Sequence, residues 1–297
     1  MARSILHMLS PLKHMSPFDI NMAVDAGFDA VIPYTGVTLE EIRPLVQDAI
    51  FSRAPGDGSR TSIFIGGKNG GLALDMLDAA KKAFVPPFAL NLFTDPAGSF
   101  TTGAAMVAKV KAVLRDKHGG DLAGRKVVIF GGTGVVAYCA GVLVALEGGQ
   151  AVLAGHDGTK RVADIAAGIK QRFDVDVGYA DGSTPEARRT AVAGAEIVLS
   201  SGPAGVNILS AADLDSVPGL LVAADVNAVP PAGVEGVGVM ASGEPFGNGK
   251  ALGVGALAIG NVKYKTELGL FRRLLATDKP ISLDFRDAYK LALEIAG

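Results

Sequence analysis

The chain has 297 residues, with 28 Lys and Arg against 30 Asp and Glu, for a formal net charge of -2 at pH 7. That balance gives no electrostatic reason to bind nucleic acid or an anionic membrane surface. The single cysteine, Cys139, excludes an internal disulfide framework and a cysteine-rich metal site, and it fits a reducing compartment. Hydrophobic residues make up 49% and charged residues 20%, enough to bury a sizeable core in two modest domains or one large one. The opening "MARSILHMLSPLKHMSP" is broken by Pro11, Lys13 and His14 and reads poorly as a signal peptide. The stretch "ALGVGALAIGNV" (251–262) is too short and Gly-rich to span a membrane. A cytoplasmic protein is expected.

In chain order, "SILHML" (4–9) predicts a strand, and "SPFDINMAVDAG" (16–27) a helix with Ser16 as cap, Pro17 in its first turn and Gly27 at its end. Strands are expected at 29–34, 61–67 and 88–95. Between them lie helices at 38–51, where Thr38 and Glu41 have capping-box spacing, and at 71–84. A long helix over 101–119 ends in basic residues and Gly119. From residue 126 a second series begins. Its strands are expected at 126–131, 150–154, 175–179, 195–200, 219–224 and 234–240, with helices near 134–147, 159–172, 185–193 and 210–215. A Gly-rich stretch (247–260) precedes two helical patterns, 262–277 and 282–297.

Alternation of this kind predicts an α/β protein with parallel sheets. The expected division is an N-terminal α/β substrate domain (1–120), a Rossmann-type doubly wound domain (121–260) and C-terminal helices (261–297) that return to complete the first.

"KVVIFGGTGVVA" reads as G-x-G-x-x-A through Gly132, Gly134 and Ala137. On that reading Gly132 allows the tight turn, Gly134 lets the backbone approach phosphate, and Ala137 allows close helix–strand packing. With Thr133, Val135 and Val136, these residues open a helix whose N–H groups and positive dipole end suit a pyrophosphate. The pattern alone is a weak signal, and a purely structural turn is the alternative. The strand before it and the apolar helix after it favour the dinucleotide.

Asp157 follows Gly134 by 23 residues, close to the spacing of about 20 at which an acid bonds the adenosine ribose and favours NAD. His156, Lys160 and Arg161 crowd the same turn and would tolerate NADP. Further walls of the crevice are expected from Ser201 and Gly202 in "IVLSSGPAG" and from Asp225 and Asn227 in "VAADVNAVPP", although ordinary connecting turns explain each equally well.

The segments "TSIFIGG", "GSFTTGAA", "GTGVVA", "ADVNAVPP" and "GALAIGNVKYK", spread from residue 61 to 265, carry a resemblance. The chain resembles the bacterial NAD(P)-dependent methylene-tetrahydromethanopterin dehydrogenases over nearly its whole length. The resemblance implies a pterin domain plus a Rossmann domain with substrate in the cleft between them. It implies oxidation of the methylene bridge of a reduced pterin to the methenyl form, with hydride passing to NAD or NADP, and a homo-oligomer. A strictly NADP-dependent relative carries Arg-Lys where this chain has His156-Asp157, which places the chain with the branch that uses NAD as well.

By the same resemblance, Phe18 packs on the substrate, with a core role as the alternative. Lys263 corresponds to a lysine of the active-site cleft and is the catalytic candidate; Lys265 or a solvated role competes with that assignment. The relative has a cleft histidine at the position of Glu267. Ser99, Thr101 and Thr102 would contact pterin or nicotinamide, or serve only as helix caps.

Hydride leaves a carbon already activated by two pterin nitrogens, so no strong general base is required, and no Ser-His-Asp or Cys-His set is evident. His7, His14, His118 and His156 lack metal-ligand spacing, so no metal is expected. Two other readings keep the fold: a methylene-tetrahydrofolate dehydrogenase, and a non-catalytic NAD(H) sensor. A Tyr-x-x-x-Lys pattern typical of the bifunctional folate enzymes is missing before residue 120.

Overall fold

Strand and helix alternate through the computed structural model, which describes residues 2–297. The first series is β1 (Ile5–Ser10), α1 (Pro17–Ala26), β2 (Ala30–Thr35), α2 (Ile42–Phe51), β3 (Thr61–Ile65), α3 (Gly70–Lys82), β4 (Asn91–Thr94) and α4 (Ser99–His118). The second is β5 (Lys126–Phe130), α5 (Val135–Leu146), β6 (Gln150–Gly155), α6 (Lys160–Phe173), β7 (Gly178–Asp181), α7 (Pro185–Val192), β8 (Ile197–Ser200), α8 (Ala211–Asp215), β9 (Val222–Asp225), β10 (Ser242–Phe246) and β11 (Ala251–Val254). Then follow α9 (Ala256–Ala276), β12 (Ser282–Leu283) and α10 (Phe285–Ala296). The chain divides into two compact units. One comprises the described residues up to Thr101 with Tyr264–Leu291, the other Thr102–Lys263 with Ala292–Gly297.

The first unit holds a five-stranded sheet in the order β12-β4-β3-β1-β2, parallel throughout. Its strands β3 and β4 are buried at every residue, as expected of parallel strands covered on both faces. Phe271 of α9 packs on Phe64 and Phe93 with ring centroids 5.5 and 5.3 Å apart. Asn91 fastens the same region to the sheet. Its Nδ2 donates to the Leu274 carbonyl at 3.0 Å, and its Oδ1 accepts from the Ile281 N–H at 2.9 Å.

The second unit holds seven strands in the order β10-β11-β9-β8-β5-β6-β7, all parallel except the edge pair β10–β11. This is the Rossmann-type doubly wound arrangement. Val128, Phe130, Val198, Leu209, Ala223 and Val234 form part of its core.

The structure corrects the expected elements in three places. Residues 234–240 form no strand; Val234 makes an isolated bridge to Leu209, and the chain then runs through turns. The sheet instead takes β11 from the Gly-rich stretch, four buried residues beside β9. Such a strand is too short to show a period of its own. α9 begins at Ala256, six residues before the expected helix, and β12 occupies Ser282–Leu283 ahead of α10.

Candidate active site

In each sheet the strand order reverses direction once, and the carboxyl ends of the strands at that reversal are where a parallel sheet opens a crevice. In the first unit the reversal lies between β1 and β3. An open pocket of roughly 370 Å³ lies there, lined by Ser10 at the end of β1, Lys13, Ser16 and Asp19 at the start of α1, Lys68 after β3, and Ala97 after β4. The Ser16 hydroxyl caps α1 by accepting from the Asp19 N–H at 3.3 Å. Phe18 is 46% exposed, so the core role considered for it is set aside.

The turn after β4 is held from inside. Asp95 is fully buried; its Oδ1 accepts from the Phe100 and Thr101 N–H groups at 2.8 and 3.3 Å, and its Oδ2 accepts from the Thr101 hydroxyl at 2.6 Å. Between them Ala97 adopts a left-handed conformation, φ 53° and ψ 35°, which a non-glycine residue takes only when its surroundings hold it there. The expected ligand role of Thr101 is therefore replaced by an internal one, since its hydroxyl is buried against Asp95. Ser99 and Thr102 flank it, half-buried, at the start of α4. Asp95→Ala removes three bonds to a buried carboxylate, so it should cost about 3 kcal/mol of stability, read as a lowered thermal midpoint. A midpoint within 1 °C of the parent would contradict this account of the turn.

In the second unit the reversal lies between β5 and β8. The tight turn falls one residue earlier than the expected pattern puts it. Gly131, not Gly132, has positive φ (75°), and a Cβ there would lie 2.4 Å from the Ser201 carbonyl oxygen. Gly131 accepts from the Gly134 N–H at 2.8 Å, closing the turn. Gly132 serves close approach: its N–H donates to the Ala154 carbonyl at 3.1 Å, and a Cβ would press on that backbone. Gly134 is the N-cap of α5 and supplies no side-chain cap, so the first N–H groups of the helix, at Val135, Val136 and Ala137, are left for a ligand. Gly134 is exposed, Thr133, Val135 and Val136 are half-buried, and Ala137 is fully buried against the sheet. The residues fit a pyrophosphate: donors without a side-chain cap and the positive end of a helix dipole.

At the end of β6, His156, Asp157, Lys160 and Arg161 are all exposed. Asp157 pairs with Arg161 at 2.9 Å, and that bond holds its carboxyl below the usual carboxylate range. Asp157 stays ionised at neutral pH, with the Arg161 guanidinium beside it as a counter-charge. Asp157→Ala should raise the NADP/NAD ratio of kcat/KM by about fivefold. An unchanged ratio in steady-state assays would refute the placement of the adenosine end.

Ser201 packs beside the Gly131 turn, donating its hydroxyl to the Phe130 carbonyl at 2.8 Å, with half-buried Gly202 next to it. Asp225 and Asn227 have different tasks from those expected. Asp225 is 2% exposed and uses Oδ1 on the Asn227 N–H and Oδ2 on the Gly233 and Val234 N–H groups. Asn227 accepts from the Gly205 and Val229 N–H groups and donates to the Pro231 carbonyl. Their side chains build the loop over residues 226–234 and have little left to offer a cofactor.

Lys263 sits half-buried on α9, and Glu267, one turn further along the same helix, is fully buried. Among the described residues no group of three or more His, Cys, Asp or Glu side chains is arranged to hold a metal, and no helix is long and apolar enough to cross a membrane.

A family model for the N-terminal part of methylene-tetrahydromethanopterin dehydrogenase matches residues 17–97, from the start of α1 to the Ala97 turn. An NAD(P)-dependent methylenetetrahydromethanopterin dehydrogenase of Methylorubrum extorquens is 64% identical over 297 residues, covering 100% of both chains. The bifunctional protein MdtA of the same organism is 32% identical over 296 residues, again covering 100% of both. Among solved structures, quinate dehydrogenase from Corynebacterium glutamicum in complex with NAD superposes with a TM-score of 0.55 at 13% identity, over 98% of this chain and 99% of that one. That likeness speaks for the fold alone. With 64% identity from end to end, the chain belongs to the methylene-tetrahydromethanopterin dehydrogenase family.

Proposed function

We infer that this chain is an NAD(P)-dependent methylene-tetrahydromethanopterin dehydrogenase. It oxidises the methylene bridge of the reduced pterin to the methenyl form. The full-length identity to the Methylorubrum extorquens enzyme is the observation that carries the reading. Bound NAD or NADP supplies the hydride acceptor. The chain's own work is to hold and orient. The uncapped N–H groups of α5 take the pyrophosphate, and the Gly131 turn keeps side chains clear of it. Asp157 and Arg161 meet the adenosine end, with NAD preferred because the carboxylate faces the ribose hydroxyls.

On the substrate side we place Phe18, Ser99, Thr102, Lys263 and Glu267, with Thr101 fixing the turn from within. Loss of hydride leaves a cation shared by the carbon and its two flanking nitrogens. A cationic side chain beside that carbon would oppose the reaction. The Lys263 ammonium therefore serves at acceptor atoms of the pterin away from the methylene carbon, setting its position. A homo-oligomer in the cytoplasm completes the proposal, consistent with the single buried cysteine.

The test is a four-way assay at 340 nm with methylene-tetrahydromethanopterin or methylene-tetrahydrofolate and NAD or NADP. Turnover is expected with the methanopterin substrate and both cofactors. Turnover with the folate substrate alone, or none with either pterin while NAD still binds, would overturn the reading.

A further inference from the structure

Gly103, in "GSFTTGAA", has no side chain to offer a ligand and stands in the interior of α4, where alanine is the better helix former. What it lies against explains its place. A Cβ there would be 2.9 Å from Cys139 Sγ, 3.0 Å from Cys139 Cβ and 3.0 Å from the Val136 carbonyl oxygen. In the second unit, α4 therefore lies directly on the backbone of α5. The contact falls at the beginning of α5, which starts at Val135. The same residues include the N–H groups of Val135, Val136 and Ala137, which have no side-chain cap.

The two helices are not equally free to yield. The start of α4 is fixed by Asp95, whose carboxylate accepts from the Phe100 and Thr101 N–H groups and from the Thr101 hydroxyl. The residues after Gly103, from Ala104 to Ala108, are buried to 1% exposure or less. The start of α5 has only the backbone of Gly134 as its cap. An extra methyl group at position 103 is therefore relieved by displacing the first turn of α5. Hydrogen bonds from that turn to an anion depend on the distance and direction of each N–H. We propose that Gly103 is a positioning residue for the dinucleotide: lacking a side chain, it lets α4 hold the first turn of α5 where its N–H groups meet the pyrophosphate. This rests on the dehydrogenase reading, with the cofactor at the α5 turn. Gly103 acts through Val136 and Cys139 and touches neither substrate nor cofactor.

The test uses the full-length enzyme and compares two added methyl groups. Gly103→Ala should raise KM for NAD about tenfold, while KM for methylene-tetrahydromethanopterin stays within about twofold. Gly141→Ala places its methyl group on α5 itself, where the nearest atoms are side-chain ends, the first being Leu153 Cδ2 at 3.3 Å. That variant should keep KM for NAD within about twofold of the parent. Unchanged NAD kinetics in Gly103→Ala would overturn the proposal. An equal rise in Gly141→Ala would overturn it too, because the effect would then belong to the stability of α5. Should Gly103→Ala not fold, Cys139→Ala is added to it, which removes the sulfur and leaves the Val136 oxygen at 3.0 Å. The double variant is then compared with Cys139→Ala alone: a higher KM for NAD supports the proposal, and equal values overturn it. If the parent enzyme fails to turn over the methanopterin substrate at all, the dehydrogenase reading falls. An active parent whose Gly103→Ala variant binds NAD normally leaves that reading standing and removes only the role of Gly103.

Discussion

Gly131→Ala should abolish measurable NAD binding and lower the thermal midpoint by several degrees. At φ 75° an L-residue costs about 1–2 kcal/mol before any contact is considered. The added Cβ would also lie 2.4 Å from the Ser201 carbonyl oxygen, where real Cβ atoms do not go. The turn must open, and with it the uncapped start of α5 moves from where a pyrophosphate would be held. A useful contrast is Gly134→Ala, whose backbone is already extended at φ -85° and ψ 161°. That change should spare the midpoint and weaken NAD binding through the methyl group alone. Isothermal titration and melting on both variants separate the effects. Full NAD affinity in Gly131→Ala would remove the cofactor from this turn.

Lys263→Ala is expected to reduce kcat/KM for methylene-tetrahydromethanopterin about 100-fold, with NAD affinity unchanged within about twofold. Lys263 is half-buried on α9. No proton is transferred to or from the carbon, so the contribution expected of Lys263 is to position the pterin. A positioning lysine is sensitive to reach as well as charge, and Lys263→Arg should recover only part of the rate. Lys265→Ala, the neighbouring candidate, should leave pterin kinetics near those of the parent. If titration shows NAD affinity collapsing in Lys263→Ala while pterin kinetics stay normal, the lysine belongs to the cofactor and the placement is wrong.

The alternation of strand and helix was legible because each element is long enough to show its period and carries its own punctuation, as with Ser16 and Pro17 before α1. β11 was not, because four buried residues between glycines have neither period nor cap. The glycine turn was recognisable as a class, but which glycine bends the chain was ambiguous. "GGTG" satisfies the pattern from Gly132, and only the backbone shows that Gly131 carries the positive φ.

Polar residues at strand ends were the hardest to assign. Asp225 and Asn227 have the composition of ligands, yet their oxygens are used by backbone N–H groups eight to 22 residues away as well as nearer ones. Thr101 is likewise turned inward to Asp95. Helix and strand patterns report local order; which polar atom is already satisfied depends on partners distant in the chain.

Direct hydride transfer from the methylene carbon of the reduced pterin to nicotinamide C4 leaves an isotopic signature in the product. Methylene-tetrahydromethanopterin dideuterated at the bridge, incubated with this protein and NAD, should yield NADH carrying one deuterium at C4 by NMR. NADH formed without deuterium at C4, or no NADH at all, would contradict it.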